Sequence, residues 1–71
     1  MATPVNSPMA GKLVSIDVKV GDVVKKDDPL ATLEAMKMFI RVFAPVDGKI
    51  AEISAAADTN VDPTTVIMTI E

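Results

Sequence analysis

Pro8-Met9-Ala10-Gly11-Lys12-Leu13 returns 37 positions later as Pro45-Val46-Asp47-Gly48-Lys49-Ile50, and the register then holds without a gap to Glu34 and Glu71. Seven of the 27 aligned pairs are identical: Pro8/Pro45, Gly11/Gly48, Lys12/Lys49, Ile16/Ile53, Val24/Val61, Thr32/Thr69 and Glu34/Glu71. Three more, Leu13/Ile50, Leu30/Ile67 and Leu33/Ile70, exchange one branched aliphatic side chain for another. Two matching halves most simply fold as two similar β-layers related by a pseudo-two-fold axis, each covering the other's apolar face. The connection between the halves, residues 35–44, contains Lys37.

Outward from the repeat, the dominant period is two. Val14, Ile16, Val18 and Val20 alternate with Ser15, Asp17 and Lys19, which predicts a strand with one buried face and places Ile16 in the core. Leu30–Glu34, Met38–Ala44, Lys49–Ser54 and Val66–Ile70 are short runs rich in β-branched or apolar residues and are expected to be strands too. The segments between them carry turn chemistry. Gly11 and Gly48 permit positive φ, Gly21-Asp22 turns the chain, and Lys25-Lys26-Asp27-Asp28-Pro29 makes a solvated connection. Asp58-Thr59-Asn60 occupies the place that Gly21-Asp22-Val23 holds in the first half, where a short polar side chain can close the turn on its own backbone. Ala55-Ala56-Ala57 is too short to nucleate a helix, and fraying is expected only at the first few residues.

Composition narrows the chemistry. Residues 1–71 form one small domain, and a chain of this size buries only about 60 % of the surface it exposes when unfolded. Phe39 and Phe43 are its only aromatic residues, so the core is assembled from aliphatic side chains and Met, with no room for a deep catalytic cleft. Cysteine and histidine are both absent, which removes disulfides, thiolate sites and the commonest metal ligand and general base. Ser7, Ser15 and Ser54 therefore have no histidine to activate them, and Asp27-Asp28 and Asp58/Asp62 lack the ordered alternation of a calcium loop. A net charge of −3 argues against nucleic acid. No apolar run approaches the ~20 residues of a membrane span, and Met1-Ala2-Thr3-Pro4-Val5 has no signal-peptide pattern, so a cytoplasmic protein without membrane insertion is expected.

Most hairpin lysines are solvated surface charges. Three features separate Lys37 from them. A tight hairpin usually recruits Asn-Gly or Asp-Gly because its central residues take positive φ, whereas this turn offers only Ala35, Met36, Lys37 and Met38. Placing Met or Lys there costs about 1 kcal/mol or more per residue. Two methionines flank the lysine at a tip where polar residues would be cheaper, and the repeat puts that tip at the end of the molecule opposite both termini.

Glu34-Ala35-Met36-Lys37-Met38 resembles the attachment motif of biotinyl domains, the carrier modules of biotin-dependent carboxylases, decarboxylases and transcarboxylases. Pro8-Met9-Ala10-Gly11, Val20-Gly21-Asp22-Val23-Val24 and Ala44-Pro45-Val46-Asp47-Gly48-Lys49 are similar to that family at matching distances, so the resemblance spans nearly the whole chain. It implies an all-β fold, a flattened barrel or sandwich of two four-stranded antiparallel sheets with pseudo-two-fold symmetry. It further implies that Lys37 is biotinylated by a biotin protein ligase, with Glu34, Ala35, Met36 and Met38 as the recognised motif. The implied activity is that of a biotin carboxyl carrier, not itself catalytic, moving a carboxyl group between a biotin carboxylase and a carboxyltransferase or decarboxylase. Lipoyl domains share the fold but usually show Asp-Lys-Ala at the lysine, and an unmodified interaction module would leave the costly tip unexplained.

Several positions depart from the family pattern. Phe39 stands where family members mostly carry a polar or acidic residue, the second half lacks the Gly-Asp turn, and Pro63 replaces a more flexible residue. Between Val14 and Leu30 there is chain for a strand, a turn and a short connection only, which resembles the carriers that lack a protruding thumb.

Overall fold

The computed structural model describes residues 2–71. Its strands are β1 (Thr3–Asn6), β2 (Gly11–Ile16), β3 (Val23–Val24), β4 (Pro29–Ala35), β5 (Met38–Phe43), β6 (Gly48–Ile53), β7 (Asn60–Val61) and β8 (Val66–Ile70), with no helix among the described residues. They form two four-stranded sheets in the orders β1-β8-β6-β3 and β5-β4-β2-β7, and every pairing is antiparallel. The two orders map onto each other by the 37-residue offset: β2 onto β6, β3 onto β7, β4 onto β8, and β1 onto β5. Each sheet takes strands from both halves, because β2 pairs with β7 and β6 pairs with β3.

The repeat is also the core. Leu13, Leu30 and Leu33 are fully buried, and so are their counterparts Ile50, Ile67 and Ile70. Val24 and Val61, and Val5 and Val42, are likewise buried in pairs. The aliphatic exchanges between halves thus conserve volume at equivalent core positions, the substitution that close packing tolerates best. Ala31 and Met68 are the exception: a small and a large side chain occupy equivalent, fully buried places.

Two expectations are corrected by the sheet geometry. The alternating segment leaves the sheet at Ile16, and its valines do not share a buried face: Val14 is 36 % and Val20 61 % exposed. A β-bulge is responsible, since the register passes from Leu13–Leu33 to Ser15–Thr32 and leaves Val14 unpaired. The same bulge recurs at Ala51, between Ile50–Ile70 and Glu52–Thr69. Ile16 is accordingly only partly buried, at the margin of the core. The other correction concerns the N-terminal segment expected to fray. Thr3–Asn6 is a strand on the edge of β8, while Met1 lies outside the described residues.

Gly11 and Gly48 serve close approach rather than a turn. A Cβ on Gly11 would lie 2.6 Å from the Glu34 carbonyl oxygen, and one on Gly48 would lie 2.7 Å from that of Glu71. Gly21 and Asp58 do take matching positive φ values, 97° and 67°. Each turn is closed from an equivalent place, by the Asp22 carboxylate accepting from the Lys19 N–H and by the Thr59 hydroxyl donating to the Ala56 carbonyl.

Candidate functional site

β4 and β5 are joined by two residues. Ala35 pairs with Met38, and Met36 and Lys37 between them have φ of 53° and 64°. Both central residues are therefore left-handed, as in the turn that matches the twist of a hairpin, but with side chains in place of the usual Asn-Gly. At about 1 kcal/mol or more for each, the strain anticipated from the sequence is present in the backbone.

The four motif residues around the lysine divide into two kinds. Ala35 is buried, and Gly11 packs so close that a Cβ there would lie 3.2 Å from the Ala35 Cβ, so the small side chain lets the start of β2 seat against the base of the hairpin. Glu34 is exposed, opposite Phe39 on β5 and Lys12 on β2. Met36 and Met38 are 93 % and 65 % exposed, and Phe39 is 69 % exposed. Phe39 thus projects from the sheet instead of packing on it. Met9 is also partly exposed on the loop that leads to Gly11. Sequence reasoning missed the Gly11–Ala35 contact, although the paired glycines of the repeat were its signal.

Lys37 is exposed, and its amine makes no hydrogen bond or ion pair among the described residues. The one ion pair there joins Lys12 to Asp58 at 3.9 Å across exposed surface, where such pairs contribute little. No group of acidic residues among the described residues is placed to hold a metal ion. An unencumbered amine on a narrow, protruding turn suits covalent attachment, because an enzyme can enclose the lysine without moving the barrel.

The fold and this tip define a class: a small all-β module that presents one lysine on a strained hairpin. The chain belongs to the biotin/lipoyl family, described as "Biotin-requiring enzyme", whose model matches residues 3–70; biotin is its cofactor. It is 37% identical over 67 residues to mitochondrial pyruvate carboxylase of Mus musculus, covering 94% of this chain and 6% of that protein. It is 45% identical over 51 residues to the gamma subunit of methylmalonyl-CoA decarboxylase of Veillonella parvula, covering 72% of this chain and 40% of the other. The crystal structure of Kluyveromyces lactis urea carboxylase superposes with a TM-score of 0.92 at 27% identity, over 100% of this chain and 6% of that one. The chain therefore spans a small part of the length of the relatives it matches.

Proposed function

We propose that Lys37 is the biotin attachment site and that the domain is a non-catalytic carboxyl carrier within a biotin-dependent carboxylase or decarboxylase. The observation that carries this reading is the Met36-Lys37 turn, which holds an unpaired amine clear of the barrel at the cost of two left-handed side-chain-bearing residues. Attachment forms an amide between Nζ and the biotin carboxyl group, with ATP providing the leaving group through a biotin protein ligase. The lysine loses its positive charge, so the formal net charge of −3 becomes one unit more negative. When attached, biotin supplies the ureido nitrogen that accepts a carboxyl group at a biotin carboxylase and yields it at a carboxyltransferase or decarboxylase.

This chain's own residues supply position. The barrel keeps the lysine at the end of a molecule 33 Å long, and tethering raises the local concentration of the reactive group at each active site without new contacts. A chain with neither His nor Cys suits a role in which the bond-making belongs to the partners. Met36 and Met38 are apolar, flexible and exposed, and are placed as contacts for the ligase.

The test is the intact mass after incubation with biotin protein ligase, ATP and biotin, with Lys37→Arg in parallel and a lipoylation reaction beside it. A gain of one biotin less one water on the parent, and none on Lys37→Arg, is expected. A gain on the variant would move the site to another lysine, and a gain only in the lipoylation reaction would move the domain to the lipoyl carriers.

A further inference from the structure

The two edge strands β1 and β5 face each other across an open groove of about 440 Å³. Its lining follows the pseudo-two-fold: Val5 with Val42, Asn6 with Phe43, and Pro8 with Pro45 are each 37 positions apart. One pair breaks the symmetry, because Pro4 stands where its counterpart is Arg41.

That difference decides which edge is open. Along β5, Ala35–Met38 closes a two-residue turn and is a hydrogen-bonded pair, so the alternation of an antiparallel ladder makes Phe39–Glu34 and Arg41–Thr32 non-bonded pairs. The N–H and C=O groups of Phe39 and Arg41 consequently point away from β4, toward a side that carries no strand. Pro4–Thr69 occupies the same register position on β1, consistent with a residue that has no N–H to give the ladder. Proline there closes the β1 edge to a further strand, while the β5 edge stays open. Arg41 is also the only ionised side chain lining the groove and makes no ion pair among the described residues, in a protein whose net charge is −3.

We infer that β5 is a docking edge: an extended acidic segment of a partner protein adds as a strand along Phe39–Phe43, with a carboxylate on Arg41 and an apolar side chain against the prolines of the groove. Strand addition supplies affinity through the backbone, and the pocketed side chains supply selectivity. The occupant is acidic because the one charge it meets is a guanidinium, which binds a carboxylate in a bidentate fork. A second copy of this chain fits less well, since pairing β5 with β5 sets Arg41 near Arg41. The purpose rests on the carrier reading: the strand holds the domain beside an active site while Lys37 remains free to enter it.

The test uses isotope-labelled Lys37→Arg chain, which cannot be modified at that position, so its outcome is independent of biotin attachment. It is titrated with two capped peptides, Val-Glu-Val-Glu-Val and Val-Lys-Val-Lys-Val, and followed by amide chemical shift and hydrogen exchange. The glutamate peptide is expected to shift and protect Phe39 and Arg41 saturably and to bind about tenfold more tightly than the lysine peptide, a ratio that Arg41→Glu reverses. Arg41→Pro, which copies the arrangement already present at Pro4, should fold normally and lose the interaction. Equal response to both peptides, shifts confined to Met36–Lys37, or undiminished binding by Arg41→Pro would overturn the proposal. So would concentration-dependent shifts at β5 without peptide, which would assign the edge to a second copy.

Discussion

β4 with β5 and β8 with β1 are the same strand pair built twice. Leu33–Ile40 corresponds to Ile70–Thr3, Thr32–Arg41 to Thr69–Pro4, and Ala31–Val42 to Met68–Val5. One pair is closed by Met36-Lys37; the other has no covalent link between its strands at that end. β1 nevertheless pairs with β8 from Thr3 to Asn6, with one register shift between Val5 and Asn6, so the ladder and the burial of Val5 hold an edge strand that no turn joins to its neighbour. The closed end therefore does not owe its pairing to the turn, and the strain at Met36 and Lys37 is free to serve presentation.

The largest test of this equivalence is truncation at matched core positions. Leu33→Ala and Ile70→Ala, one beneath each pair, should each cost about 2 to 5 kcal/mol in urea denaturation. A much smaller loss for Ile70→Ala would show that the unjoined pair contributes less than its twin. Next come the matched glycines: Gly11→Ala and Gly48→Ala should each destabilise by about 1 to 3 kcal/mol, because a methyl group would crowd a backbone carbonyl oxygen in both, that of Glu34 and that of Glu71. Exchange of Met36-Lys37 for Asn-Gly should raise stability by about 1 to 2 kcal/mol while removing Lys37, since those residues enter the left-handed region more cheaply. No gain would mean that the tip is not strained and that the two ends differ only in connectivity.

The smallest effect separates two loops. Asp62 accepts hydrogen bonds from the Thr64 and Thr65 hydroxyls and the Thr64 N–H, and these hold its carboxyl below the usual 3.8; its counterpart is Lys25. A carboxyl depressed in the folded state stabilises above its unfolded value and loses that contribution as pH falls through the lowered one. Asp62→Asn should slightly lower the denaturation midpoint at neutrality and flatten its decline below about pH 4, so that parent and variant converge in acid. Lys25→Asn should leave the acid limb unaltered.

The parts of the fold that were legible are those the repeat marks twice. Leu13/Ile50, Leu30/Ile67 and Leu33/Ile70 stood out as exchanged aliphatics and proved fully buried. Where the repeat was set aside in favour of local alternation, the reading failed. Val14, Val18 and Val20 correspond to Ala51, Ala55 and Ala57 in the other half, and the bulge at Val14 breaks their period. β3 and β7 are two residues long, too short for periodicity to detect, and β1 contains a proline that disguises an edge strand. At the site, the strain of the turn followed from residue types alone. The contact of Gly11 with Ala35 did not, because it joins residues that only the folded register brings together.

A fold made of two equal halves tends to make its features in pairs: the matched bulges at Val14 and Ala51, two crowded glycines, two left-handed loop turns at Gly21 and Asp58. Met36 and Lys37 are different, for they lie in the join between the two repeats and belong to neither. A lysine placed within the repeat would have been presented at both ends of the barrel, as Lys12 and Lys49 are. Set in the seam, it is singular, and a symmetric scaffold acquires a stoichiometry of one.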